Sequence, residues 1–120
     1  MNKGRKITGG KYHSQRKKKL YERQNQERTA FLGEIRRKKL RGRGGNIKVI
    51  MTRSNIANVS IDGKVKKAGI KNVLETPQNK FLARQNRLIK GAIIETSLGK
   101  ARITNRPTQE GHVNAIFIKE

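Results

Sequence analysis

The first 43 residues carry 16 Lys and Arg against three acids, Glu22, Glu27 and Glu34, a net charge of +13. No other feature limits the folds open to this chain as strongly. Only 10 of these residues are apolar, too few to offset the entropy of ordering the segment on its own. Residues 44–120 hold the remaining 14 cations, five acids and 29 apolar residues, enough for a modest core. The expected division is therefore a basic N-terminal extension over 1–43 and a folded domain over 44–120, whose first strand begins as early as residue 31. A formal charge of +22 on 120 residues repels itself and calls for a polyanion, with nucleic acid the expected one.

Several classes drop out on residue types alone. There is no cysteine, so disulfides, thiolate metal sites and a thiol nucleophile are excluded. His13 and His112 fit no metal-ligand spacing and read as surface or RNA contacts; neither a metal nor a cofactor is expected. The eight carboxylates form no recognisable catalytic pair, and Gly99-Lys100 lacks the rest of a phosphate-binding loop, which argues against an enzyme. No apolar run approaches the roughly 18 residues of a membrane span. The basic start lacks the apolar stretch of about 7–15 residues that a signal peptide needs, so a soluble, cytoplasmic protein is expected, without membrane or small-molecule partners. Self-association is not expected at this charge.

The pattern along the chain is mainly that of short strands. Residues 3–11 have no periodicity and read as an extended, partner-moulded arm. Residues 14–28 admit a short turn or two, helical or extended once their charge is neutralised. Ile47, Val49 and Met51 alternate as in a half-buried strand. Ala57–Ile61, Asp62-Gly63 and Lys64–Lys67 form a strand, a type I′ turn signal and a returning strand. Ile70–Leu74 reads as a further strand. Thr76-Pro77 reads as a helix N-cap and first position, ahead of one short helix through Phe81 and Leu82. Ala92–Thr96 and Ala101–Thr104 flank Leu98-Gly99 as a second hairpin, and Val113–Ile118 is the last strand. Six short strands on a limited core suggest a small closed barrel, which leaves no long edges exposed.

Three basic clusters stand out: Lys3, Arg5, Lys6 and Lys11; Arg16, Lys17, Lys18 and Lys19; and Arg36, Arg37, Lys38 and Lys39 leading into Arg41 and Arg43. Cations neutralise phosphates and release counterions, and interleaved glycines let backbone N–H groups approach them. Lys48, Lys80, Arg84 and Arg87 extend the basic set into the second part. With two Tyr, three Phe and no Trp, base stacking is limited to Tyr12 and Tyr21, while Phe31, Phe81 and Phe117 read as core. Recognition should rest on phosphate, sugar and RNA shape.

The order of motifs is specific where each alone is weak. Lys6-Ile7-Thr8-Gly9-Gly10, then Arg41-Gly42-Arg43-Gly44-Gly45-Asn46, then Asn86–Lys90 with Gly91–Thr96, and finally Leu98–Pro107 occur in succession. The chain resembles, over nearly its whole length, the eukaryotic-type small-subunit ribosomal protein family eight in its short archaeal form. Gln15–Leu32 departs most from that pattern. The resemblance implies a six-stranded β-barrel with a basic extension that penetrates small-subunit ribosomal RNA, neighbouring ribosomal proteins as further partners, and no catalysis. It also implies RNA contacts at Thr8, Gly9 and Gly10 and at Arg41–Asn46, including Gly44, Gly45 and Asn46. Two other readings share these features: a ribosome-assembly factor with the same domain, and a nucleic-acid-compacting architectural protein.

Overall fold

Strands dominate because the apolar residues of the second part recur at alternate positions, the spacing that buries one face of a pleated strand. The computed structural model describes residues 4–119. In chain order the strands are β1 (Phe31–Leu32), β2 (Arg36–Arg41), β3 (Ile47–Ser54), β4 (Ile56–Ile61), β5 (Lys64–Glu75), β6 (Ile93–Thr96), β7 (Gly99–Ile103) and β8 (Asn114–Phe117), with helices α1 (Lys80–Arg84) and α2 (Pro107–Glu110). Five strands, β4 to β8, close a barrel by antiparallel neighbours and one parallel seam, β4 against β8. Its core includes Val59, Ala68, Val73, Leu88, Ile94, Ile103, Val113 and Ala115.

The barrel therefore has five strands, not six. The strand over Ile47–Met51 leaves it for a separate sheet of order β1-β3-β2. The alternation there also breaks: Ile50 and Met51 are both buried while Ile47 is 69% exposed. A strand covered on both faces loses the two-residue rhythm that marks membership of a one-sided sheet.

Hairpin β4–β5 turns at Asp62-Gly63, where φ is 45° and 81°. Both centres of a type I′ turn need positive φ, and Gly reaches it without a Cβ clash. Ile70–Leu74 is the continuation of the same twelve-residue β5. The β6–β7 turn falls at Ser97-Leu98, one residue earlier than expected, because Gly99 already pairs with Thr96.

There are two short helices rather than one. Asn79, not Thr76, caps α1: its side chain accepts from the Phe81 N–H at 3.0 Å. Thr76 is instead fully buried, its hydroxyl donating to the Asn79 carbonyl and accepting from the Ala83 N–H. Replacing Asn79 with Ala should cost about 1 kcal/mol, read as a lowered Tm with unchanged strand content by circular dichroism. Phe81 is 65% exposed, contrary to a core assignment, and Arg84 lies over its ring at 5.6 Å.

Residues 4–28 contain one 3-10 turn, Leu20–Glu22, and every one of them except Glu22 is exposed. The molecule is accordingly elongated, with a radius of gyration of 21.2 Å, against roughly 14 Å for a compact chain of this length. Ala30 marks the change: it is fully buried in the core, and its carbonyl accepts from the Leu88 N–H at 2.8 Å.

Candidate nucleic-acid interface

The expected cations fall into four places. At the N-terminal end, Lys3 lies outside the described residues. Arg5 to Lys11 close on themselves: Lys6 N–H donates to the Gly10 carbonyl and Gly9 N–H to the Lys6 carbonyl, both at 2.9 Å. Arg5 donates to the Gly9 carbonyl at 3.0 Å and pairs across the turn with Lys11. The turn presents Thr8 and a fully exposed Ile7 at its tip, with Lys6 over the Tyr12 ring at 5.8 Å.

In the second cluster Arg16 grips Glu22 with two hydrogen bonds, of 2.9 and 2.5 Å. The guanidinium holds the Glu22 carboxyl below its ordinary value, helped by the Lys19 N–H, and the carboxylate raises Arg16 in turn. A lowered carboxylate favours the turn above the usual carboxylate range and stops doing so as pH falls through the lowered value. Lys17, Lys18 and Lys19 have no acidic partner among the described residues. Lys19 lies over the Tyr21 ring at 5.9 Å.

Strand β2 supplies the third place. Arg36, Arg37, Lys38, Lys39 and Arg41 are all exposed along an antiparallel register with β3. Its hairpin closes through Arg43–Asn46, where Gly42 N–H donates to the Asn46 carbonyl at 2.6 Å and the Asn46 amide to the Arg43 carbonyl at 3.1 Å. Gly44 and Gly45 have φ of 70° and 77°. Lacking side chains, they leave the backbone between Arg41 and Asn46 open to close approach by a phosphate.

The last group is dispersed. Lys48 bonds the Gln109 side chain, beside α2. Lys80 and Arg84 face a depression that also holds Glu75, apart from the β2 cations. Arg87 is half-buried over the Phe31 ring at 5.8 Å, its Nε buried without a hydrogen-bond partner. The fold brings Arg28, which no cluster included, together with Lys48, Lys90 and Arg106 around a groove of 640 Å³ between residues 25–28 and the barrel end. Those four are separated by tens of residues, so no local pattern signals their convergence. Lys64, Lys66 and Lys67 on β5 are exposed as well, and only their raw charge marked them.

Among the described residues no group of three or more His, Asp or Glu side chains could hold a metal ion, and no helix is long and apolar enough to cross a membrane. The fold and surface define a small β-barrel protein whose exposed cations are spread over several faces of the barrel, the second sheet and the N-terminal segment. Residues 1–118 match the family described as ribosomal protein S8e, and the chain belongs to that family. The small ribosomal subunit protein eS8 of Sulfurisphaera tokodaii is 47% identical to it, the match covering 99% of this chain and 95% of the relative. Those of Methanocorpusculum labreanum and Nanoarchaeum equitans are 45% and 44% identical, each over 96% of this chain and over 94% and 92% of their own lengths. The motif-based resemblance and these archaeal relatives agree. The family consists of ribosomal constituents, which places the chain in the cytoplasmic ribosome and not among enzymes.

Proposed function

We propose that the chain is a constituent of the small ribosomal subunit that binds ribosomal RNA through phosphate and shape contacts and stabilises its folded form. The observation that carries this reading is the near absence of internal neutralisation: within residues 4–43, Arg16 alone is ion-paired with an acid. Fourteen further cations there are left to meet an external anion. Residues 1–43 act as the RNA-threading extension and residues 44–120 as the docking domain, the two joined where β2 pairs with β3. The arm sites Lys3 to Lys11 and Arg16 to Lys19, the β2 row with its Gly-rich turn, and Lys48, Lys80, Arg84 and Arg87 make the contacts. The chain acts as a single copy beside neighbouring ribosomal proteins.

The test is binding of the full chain to small-subunit ribosomal RNA across a salt series, with duplex DNA as competitor. Six to ten phosphate contacts would lose on the order of 10³–10⁵ in affinity between about 50 and 200 mM salt. A flat salt response would overturn the proposal, and equal competition by duplex DNA would favour a general compacting role. Release from mature subunits by a mild salt wash would favour an assembly factor.

Glu22→Gln provides a finer check. Removing the carboxylate frees Arg16 for phosphate, so affinity should rise a few-fold and the salt slope steepen by roughly 1.

A further inference from the structure

A second feature of the surface is not a phosphate track. Beside the junction of the two sheets lies a cleft of 430 Å³ lined by Ile35, Arg37, Met51, Ile56, Asn58, Lys67 and His112. That volume falls within the range of about 300–1,000 Å³ of small-ligand pockets. No acid lines it.

Its polar groups are fixed and only partly used. Arg37 is anchored by its Nε, which donates to the Gly111 carbonyl at 2.9 Å, leaving both terminal nitrogens of the guanidinium without a partner among the described residues. The Asn58 amide nitrogen donates to Asn114 Oδ1 at 3.2 Å, which leaves the Asn58 oxygen as an acceptor. The side chain of His112 is 46% exposed, and its nearest ionic neighbour, Glu110, is 3.8 Å away. Apolar surface completes the walls: Ile35 and Ile56 are 46% and 40% exposed, and Met51 is buried.

Two cations without an acid select an anionic group. An imidazole and a free amide oxygen select an acceptor- and donor-bearing edge beside it, and the apolar walls select a flat ring. A nucleotide carries all three. We propose that the cleft receives a single unpaired nucleotide of the bound RNA, its phosphate on Arg37 and Lys67, its base against Ile35 and Ile56, and its edge read by His112 and Asn58. This rests on the RNA-binding reading above and adds base recognition to a mode otherwise led by the backbone.

The test maps base reactivity along in vitro transcribed small-subunit ribosomal RNA, with dimethyl sulfate and a carbodiimide, bound to the full chain or to His112→Gln, Asn58→Leu or Lys67→Gln. Lys67 and His112 are surface side chains, so these two variants keep the fold, and a thermal melt confirms it for all three. One nucleotide should be protected by the wild-type chain and regain reactivity with His112→Gln and Asn58→Leu, while affinity falls only about fivefold, the worth of one hydrogen bond. Lys67→Gln should lower the salt slope by about 1. If the RNA stays bound with the same protections for every variant, the cleft proposal fails and the RNA-binding reading stands. If the wild-type chain does not bind the RNA, both fail.

Discussion

A chain lacking residues 1–28 is expected to fold like the full protein yet to lose most of its hold on ribosomal RNA. The cut removes 10 Lys and Arg and two acids, a net +8, and no buried side chain among the described residues. It spares Ala30, β1 and β2, which a cut at residue 43 would strip from the core and from β3. Thermal stability should therefore change by less than about 1 kcal/mol, in line with surface changes. If even half of the removed cations contact phosphates, the slope of log affinity against log salt should become shallower by roughly 4–5. Affinity at moderate salt should fall on the order of a thousandfold or more. An unchanged slope, measured by filter binding at several salt concentrations, would show that the extension does not carry the contacts assigned to it.

Leu88→Ala should give the largest loss of stability of any single substitution discussed. Leu88 is fully buried, and its backbone N–H ties the segment ahead of β1 to the barrel through the Ala30 carbonyl. Truncation leaves the backbone bond and opens a cavity at the point where the two sheets meet. The expected cost is about 2–5 kcal/mol. Against a total stability of roughly 5–15 kcal/mol, that lowers Tm by on the order of 10–20 °C. A melt within a few degrees of wild type would mean that the core around Ala30 closes over the gap.

How well the sequence foretold the structure depended on whether the signal was local. Asp62-Gly63 was legible because a type I′ turn needs positive φ at two adjacent residues and few pairs supply it. Ser97-Leu98 carries no such mark, and the glycine beside it drew the turn one residue off. Membership of a sheet was harder still. Nothing in Ile47–Ser54 says that β3 pairs with β2 and β1 instead of joining the barrel, because that choice is set by partners distant in the chain. The same limit applies to the interface. Runs such as Arg16–Lys19 and Arg36–Lys39 are visible as strings of letters, whereas Arg28, Lys48, Lys90 and Arg106 become neighbours only through the fold. Thr76 shows the reverse failure: a residue suited to capping serves instead as a buried knot between the end of β5 and α1.

The parallel seam between β4 and β8 bears on the order in which the molecule takes shape. Hairpins β4–β5 and β6–β7 close over two-residue turns, while the seam joins Asn58 to Asn114 across 56 positions. Loop-closure entropy makes that the most demanding of the barrel's pairings, so it forms after the hairpins. During synthesis the barrel must wait for β8, but the exposed basic segment is made first and has little folding to complete. It is exposed while the barrel is still incomplete, so under the proposed function RNA contact would precede barrel closure instead of following it.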